Sequence, residues 1–257
     1  MNIFLLKLIL VPIIIGSASL AGRKWGSAVS GWLIGLPFTS GPVTFFLALS
    51  HDRAFVFDTV RGVLSGGFSL IAYCLAYAWL SKKFGWQVSL FAGIAVFAGM
   101  TACLQNVTLP FIPLFFLILL TIAGGLRLMP KHQPCEEELP QPGKWDIPAR
   151  ILIGTSFILL ITGIAPYIGS RLTGLLTTIP LYASILAVFA HRHEGGAGAV
   201  NVLRGLVFGL FGFAGFYLVL GLLIPEASLA ASFGAALLAS LLVQGVTLLI
   251  LQKAHIE

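Results

Sequence analysis

The sequence predicts an all-α integral membrane protein. It reads as about nine transmembrane helices, arranged as two inverted-topology repeats of four helices with one linking helix. Three observations carry that fold class. Of 257 residues, 58% are hydrophobic and only 9% are charged, whereas soluble domains carry roughly 25% charged residues. Apolar runs of bilayer length recur along the whole chain. One stretch rich in glycine and proline occurs twice, 143 positions apart, without a gap.

Taken in order, the spans are expected at about 2–21, 28–49, 58–80, 87–104, 108–128, 149–168, 172–190, 200–223 and 228–251. The first ends in Ser17, Ala18, Ser19, Leu20 and Ala21, a weak likeness to a signal-peptidase site. Its charge comes late, at Lys7, and its apolar run is long enough to cross, so it is expected to stay as a helix. The second contains Gly26, Ser27, Gly31, Leu33 and Pro37, and the seventh repeats these types at Gly169, Ser170, Gly174, Leu176 and Pro180. A proline within a span removes a backbone hydrogen bond and clashes with the turn before it. In lipid the freed carbonyl must find another partner.

The echo continues. The third span carries Asp58, Arg61, Gly62 and Gly66, and the eighth carries Asn201, Arg204, Gly205 and Gly209 in the same frame. The run from Gln87 to Leu128 is long enough for two spans, with Gln105 and Asn106 as the turn. The polar stretch from Met129 to Asp146, with Glu136, Glu137, Glu138 and four prolines, reads as a linker. The division is therefore 1–104 for repeat one, 105–147 for the linking span and loop, and 148–257 for repeat two. Equivalent spans stand five apart, an odd number, so the two copies point opposite ways through the membrane. The arrangement resembles that of inverted-repeat secondary carriers, in architecture and not in any substrate motif.

Orientation follows from lysine and arginine. With alternating spans, the N-terminal side receives Lys7, Arg53, Arg61 and Arg171, and the opposite side receives the other eleven. The richer side is expected to be cytoplasmic, which puts the N-terminus outside and the C-terminus inside a bacterial inner (plasma) membrane. Trp25, Trp32, Trp79, Trp86 and Trp145 then fall near cytoplasmic span ends, as interfacial anchors do. The net charge of +6 is explained by this sidedness, and nucleic acid is not expected as a partner.

Candidate substrate-binding residues gather at the two proline breaks: Pro37, Thr39 and Ser40 in one copy, Thr177, Thr178, Pro180, Tyr182 and Ser184 in the other. Broken helices expose amides, carbonyls and hydroxyls at bilayer depth, and half-helix N-termini suit an anion. Kinks whose hydroxyls bond back to their own helix are the plainer alternative. Arg61 and Arg204 are expected to attract an anion at the two entrances, or else to snorkel to headgroups. Asp58 is the acidic residue placed for proton coupling. Gly62, Gly66, Gly205 and Gly209 form GxxxG pairs, which let helices pack closely.

Three cysteines without a CxxC pair predict neither a disulfide nor a zinc site. His191, His193 and Glu194 lie in a glycine-rich loop and are not expected to hold a metal, and no cofactor is implied. His51, Asp52 and Arg53 occupy the corresponding loop on the other side and are expected to be solvated. No Walker loop, GxSxG or HExxH occurs, so the chain is not expected to be an enzyme. The reading is a small secondary transporter moving an anionic solute or a lipid-linked phosphate by alternating access. The alternative is a membrane scaffold or assembly factor. Expected partners are membrane lipid, the anionic substrate and, as a further option, a second copy of the chain in a homodimer.

Overall fold

A computed structural model describes residues 5–13, 16, 36–131 and 146–254. Every regular element among them is helical: α1 (residues 5–13), α2 (Ser40–Ala48), α3 (Arg53–Leu80), α4 (Trp86–Leu104), α5 (Phe111–Leu128), α6 (Asp146–Leu176), α7 (Leu181–Leu223) and α8 (Leu229–Ala254). Six of these, α3 to α8, are long and apolar enough to cross a membrane. The chain is thus an all-α protein of multi-span membrane character. Gly26, Ser27, Gly31 and Leu33 lie outside the described residues, as do Trp25, Trp32, Trp145, Cys135 and the acidic run at 136–138.

Two helices are interrupted by glycine. Gly169 (φ 80°, ψ 164°) divides α6 into 146–168 and 170–176, and Gly195 (φ 70°, ψ −164°) divides α7 into 181–194 and 196–223. Positive φ is open to glycine without a Cβ penalty, so each serves as a one-residue joint. Between the joints the chain leaves the helix at 177–180 and resumes at Leu181. The segment 170–194 is therefore two half-helices, 170–176 and 181–194, set between two glycine joints.

Element starts have local causes. The carboxylate of Asp52 accepts from the N–H of Phe55 at 2.8 Å and caps α3. That cap explains why α3 begins at Arg53 and not near 58. Asp52 and Arg53 are exposed, as expected of a solvated turn, but each also makes a fixed contact: Arg53 Nη1 donates to the carbonyl of Pro225 at 2.6 Å. His51 is half-buried and stacks on Phe55 at 4.2 Å.

α3 is the central helix, with most of its length buried. Tyr73, Tyr77, Leu64 and Ile71 meet Ile118 and Ile122 of α5 and Phe216 and Tyr217 of α7 in the larger core. A second core joins α1, α2 and α6 through Val11, Val43, Phe46, Phe157 and Ile158. The outer faces of α4, α5 and α8 carry exposed Phe91, Phe116, Leu120, Leu242 and Leu249, the apolar surface that lipid covers in a membrane protein.

Contacts fix the helix directions. α3 runs parallel to α5, since Arg61 reaches Leu109 and Trp79 Nε1 donates to the carbonyl of Leu128 at 3.0 Å. The turns after Leu80 and after Leu128 therefore share one end of the bundle, hereafter the lysine end. α3 also runs parallel to 170–194: Asp58 meets Ser170, Tyr73 meets Ser184, and Ser81 meets Gly196. It runs antiparallel to 196–223, as Phe213 lies against Gly67 and Pro225 beside Arg53.

Elements and contacts repeat at the sequence offset of 143. α3, moved by that offset, covers 196–223, the whole segment after Gly195; α4 begins at Trp86, and α8 begins at Leu229, its offset position. Thr101 Oγ1 donates to Ser69 Oγ at 2.9 Å, and at the offset positions the Gln244 side chain lies against Gly212. Tyr73 OH and Ser184 Oγ share a hydrogen bond at 2.9 Å, and at the offset positions the Phe216 ring lies over Gly41.

Candidate functional site: the broken crossing, its arginine clamps and the lysine-end cavity

The broken segment 170–194 lies along α3 through a seam built on glycine. A Cβ on Gly62 would strike the carbonyl oxygen of Arg171. One on Gly174 would come within 2.7 Å of Val63 N and 2.8 Å of Gly62 Cα, and one on Gly66 would strike Thr178 Oγ1. The two backbones touch, which only glycine permits. Gly205 and Gly209 are buried as well.

Below this seam come polar pairs. Tyr73 bonds Ser184, and Tyr77 OH lies 3.4 Å from His191 Nδ1 with the rings edge to face. At the opposite end Asp58 accepts from Ser170 Oγ at 2.7 Å, next to the Gly169 joint. Asp58 also pairs with Arg61 at 3.5 Å.

The hydroxyls at the proline breaks are largely spent on backbone. Pro180 brings no N–H to the carbonyls behind it. Thr177 Oγ1 donates to Gly174 O and Thr178 Oγ1 to Leu175 O, both at 2.7 Å, carbonyls that the N–H groups of the same two residues also reach in the tightened last turn. Tyr182 OH donates to Arg150 O at 3.0 Å. At the other proline break Pro37 is buried and its carbonyl accepts from Gly41 N. Thr39 precedes α2 and makes no side-chain cap. Ser40 is buried, and its carbonyl accepts from Thr44 Oγ1, which lies 3.4 Å from Tyr217 OH. The two breaks approach one another, since Ile179, Leu181 and Tyr182 pack against the cluster containing Val43, Phe46 and Leu47.

The two arginines at equivalent positions take up the two ends of α5. Arg61 Nη2 donates to Leu109 O at 2.7 Å. Arg204 Nη1 lies within hydrogen-bond reach of the carbonyls of Leu126, Met129 and Pro130, at 3.2, 3.5 and 3.1 Å. Leu109 lies one residue before the N-cap Pro110, and Leu126 lies in the last turn, beyond which the chain turns extended at Met129. Each guanidinium therefore serves a carbonyl outside the helical ladder of α5. At the C-terminal end the cation also faces the negative pole of the helix dipole. The carbonyls and their arginine partners are far apart in sequence, so reading Arg61 and Arg204 alone offered anion attraction or headgroup snorkelling and gave no signal for these contacts.

A cavity of about 280 Å³ opens at the lysine end, lined by Ser81, Lys82, Pro130, Lys131, Gly196, Ala197 and Val200. Three fixed contacts shape it. Trp79 ties α3 to the end of α5, Arg204 holds Pro130 onto 196–223, and Ser81 Oγ donates to Gly196 O at 3.4 Å. Sequence reasoning missed this site, because its residues come from three separate turns. Among the described residues no group of histidine, cysteine, aspartate and glutamate could hold a metal ion.

Comparison with known proteins gives no relative: no protein family, curated protein or solved structure matches the chain.

Proposed function

We propose that the chain is a small secondary transporter built from two inverted repeats, moving an anionic solute or a lipid-linked phosphate by alternating access. The carrying observation is the antiparallel arrangement of segments related by the 143-residue offset, with a broken crossing against the central helix of the other copy. The pairs Ser69–Thr101 and Gly212–Gln244 support a doubled unit. So does the antiparallel pairing of α1 with 146–168, where Lys7 Nζ donates to Thr162 Oγ1 at 2.8 Å and residue 16 meets Ile151. Nine crossings follow if 170–194 and the stretch ending in α2 each cross once. The positive-inside rule then puts the lysine end, with Lys82, Lys83, Arg127 and Lys131, in the cytoplasm of the bacterial inner membrane.

In this reading the seam at Gly62 and Gly174 is the closed gate. The cavity at Lys82 is the open mouth. Movement separates α3 from 170–176 about the Gly169 and Gly195 joints. Arg61 and Arg204 hold α5 as the part that both copies grip, and the Asp58–Ser170 bond across the seam is the polar contact that opening must break.

The seam also supports a second reading, a non-transporting scaffold, since backbones in contact across α3 are what a static bundle needs. One experiment separates them. In a background of Cys74→Ala, Cys103→Ala and Cys135→Ala, Ser184→Cys is probed in sealed vesicles with a membrane-impermeant maleimide from each face separately. Alternating access predicts labelling from both faces. Protection from either face sinks it, and protection from both leaves the scaffold.

A further inference from the structure

From the lining of the lysine-end cavity, we infer a binding site for a phosphate-class oxyanion, held by Lys82 and Lys131 at the start of the helix 196–223. It goes beyond the transport reading, because it requires only equilibrium binding and stands if the chain carries nothing across.

The inference starts from two cations brought together from distant turns. Lys82 follows α3 and Lys131 follows α5, and they share one cavity because Trp79 bonds Leu128 O and Arg204 bonds Pro130 O. Among the described residues neither lysine has a carboxylate within ion-pair reach. Lys82 Nζ sits 5.2 Å from the centre of the Trp79 ring, a cation–π contact that places the ammonium and uses none of its three N–H donors on a carboxylate. Lysine is a point-charge binder of phosphate, with three donors. Two such groups suit a tetrahedral anion better than a planar carboxylate, which favours the arginine fork.

The remaining wall is backbone. Gly195 turns the chain so that a new helix of 28 residues, as long as α3, opens on the cavity with Gly196 and Ala197 at its edge. Its N-terminal pole adds positive potential. Glycine at 196 lets that terminus touch the Ser81 carbonyl. The equivalent place at the other end of the bundle is filled differently: Arg53 stands at the offset position of Gly196 and bonds Pro225 O. The duplicated framework therefore closes one end with an arginine and leaves the other as a basic cavity. A volume of about 280 Å³ accommodates an inorganic phosphate or the phosphate of a lipid headgroup, and the bundle end is where either would arrive.

The full chain is reconstituted in phosphatidylcholine nanodiscs and melted with increasing inorganic phosphate against chloride at matched ionic strength. A parallel arm replaces part of the phosphatidylcholine with phosphatidic acid. Stabilisation by free phosphate identifies a solute site, and stabilisation by phosphatidic acid alone identifies a headgroup site; either supports the proposal. In Lys82→Gln/Lys131→Gln the half-saturating concentration should rise at least roughly tenfold, the scale of one lost charge-assisted contact. Lys83→Gln, in the same turn but outside the cavity lining, should bind as the parent does. No stabilisation in either arm, or equal loss in Lys83→Gln, overturns the site. The Ser184→Cys labelling is read separately, so failure here leaves alternating access untouched, and the reverse holds too.

Discussion

Replacing Arg204 by methionine removes the donor that the end of α5 depends on. Met keeps an unbranched stem of similar reach, so lost packing is small and lost hydrogen bonding dominates. The Nη1 atom serves Leu126 O, Met129 O and Pro130 O. One nitrogen cannot satisfy three acceptors at full strength, so these contacts are counted as about one charge-assisted bond, worth roughly 1.5–3 kcal/mol. Polar contacts between helices in a bilayer average lower, near 0.6 with a maximum near 1.7 kcal/mol, because the unfolded helices also find partners. The expected loss is therefore about 1–2 kcal/mol.

The mechanism makes a sharper statement than the magnitude. Arg204→Lys keeps a charged donor at that end of α5 and should recover about half of the loss. Reversible unfolding in mixed micelles, followed by circular dichroism for the parent and the two variants, reads both changes. An Arg204→Lys protein no better than Arg204→Met, or an Arg204→Met protein as stable as the parent, refutes the clamp. A buried cation replaced by an apolar side chain can come out neutral, so that outcome is a real hazard to the reasoning and not a formality.

Further tests follow from single contacts. Gly174→Val should cost at least 2–3 kcal/mol and lower the folded yield, because its side chain meets the backbone of α3 at Val63 and Gly62; the exposed Gly99, which has open space around it, should accept alanine without loss. Asp52→Ala removes the cap on α3 and should cost about 1 kcal/mol, with amide exchange rising first at Phe55. Asp52→Asn should recover most of it.

Much of the fold is written locally. Composition and run length placed the apolar helices, and the offset motif pointed to the residues where 170–194 breaks. The ends of helices were harder. Asp52 looks like a loop acid until Phe55 N is seen to need an acceptor. Glycines 195 and 196 look like a flexible run, yet one is a joint of positive φ and the other a contact point. Sequence could not tell whether Thr177 and Thr178 face a ligand or their own helix, and the structure turns both inward on Gly174 and Leu175. The lysine-end cavity was invisible because its walls come from residues 81–82, 130–131 and 196–200, which meet only after α3, α5 and α7 have packed.

α5 is gripped at both ends by basic side chains, Arg61 from α3 before it in the chain and Arg204 from α7 after it. That makes it a keystone. Take that helix away and each guanidinium loses the carbonyls it now serves, so the stretches on either side depend on α5 to complete their own polar contacts.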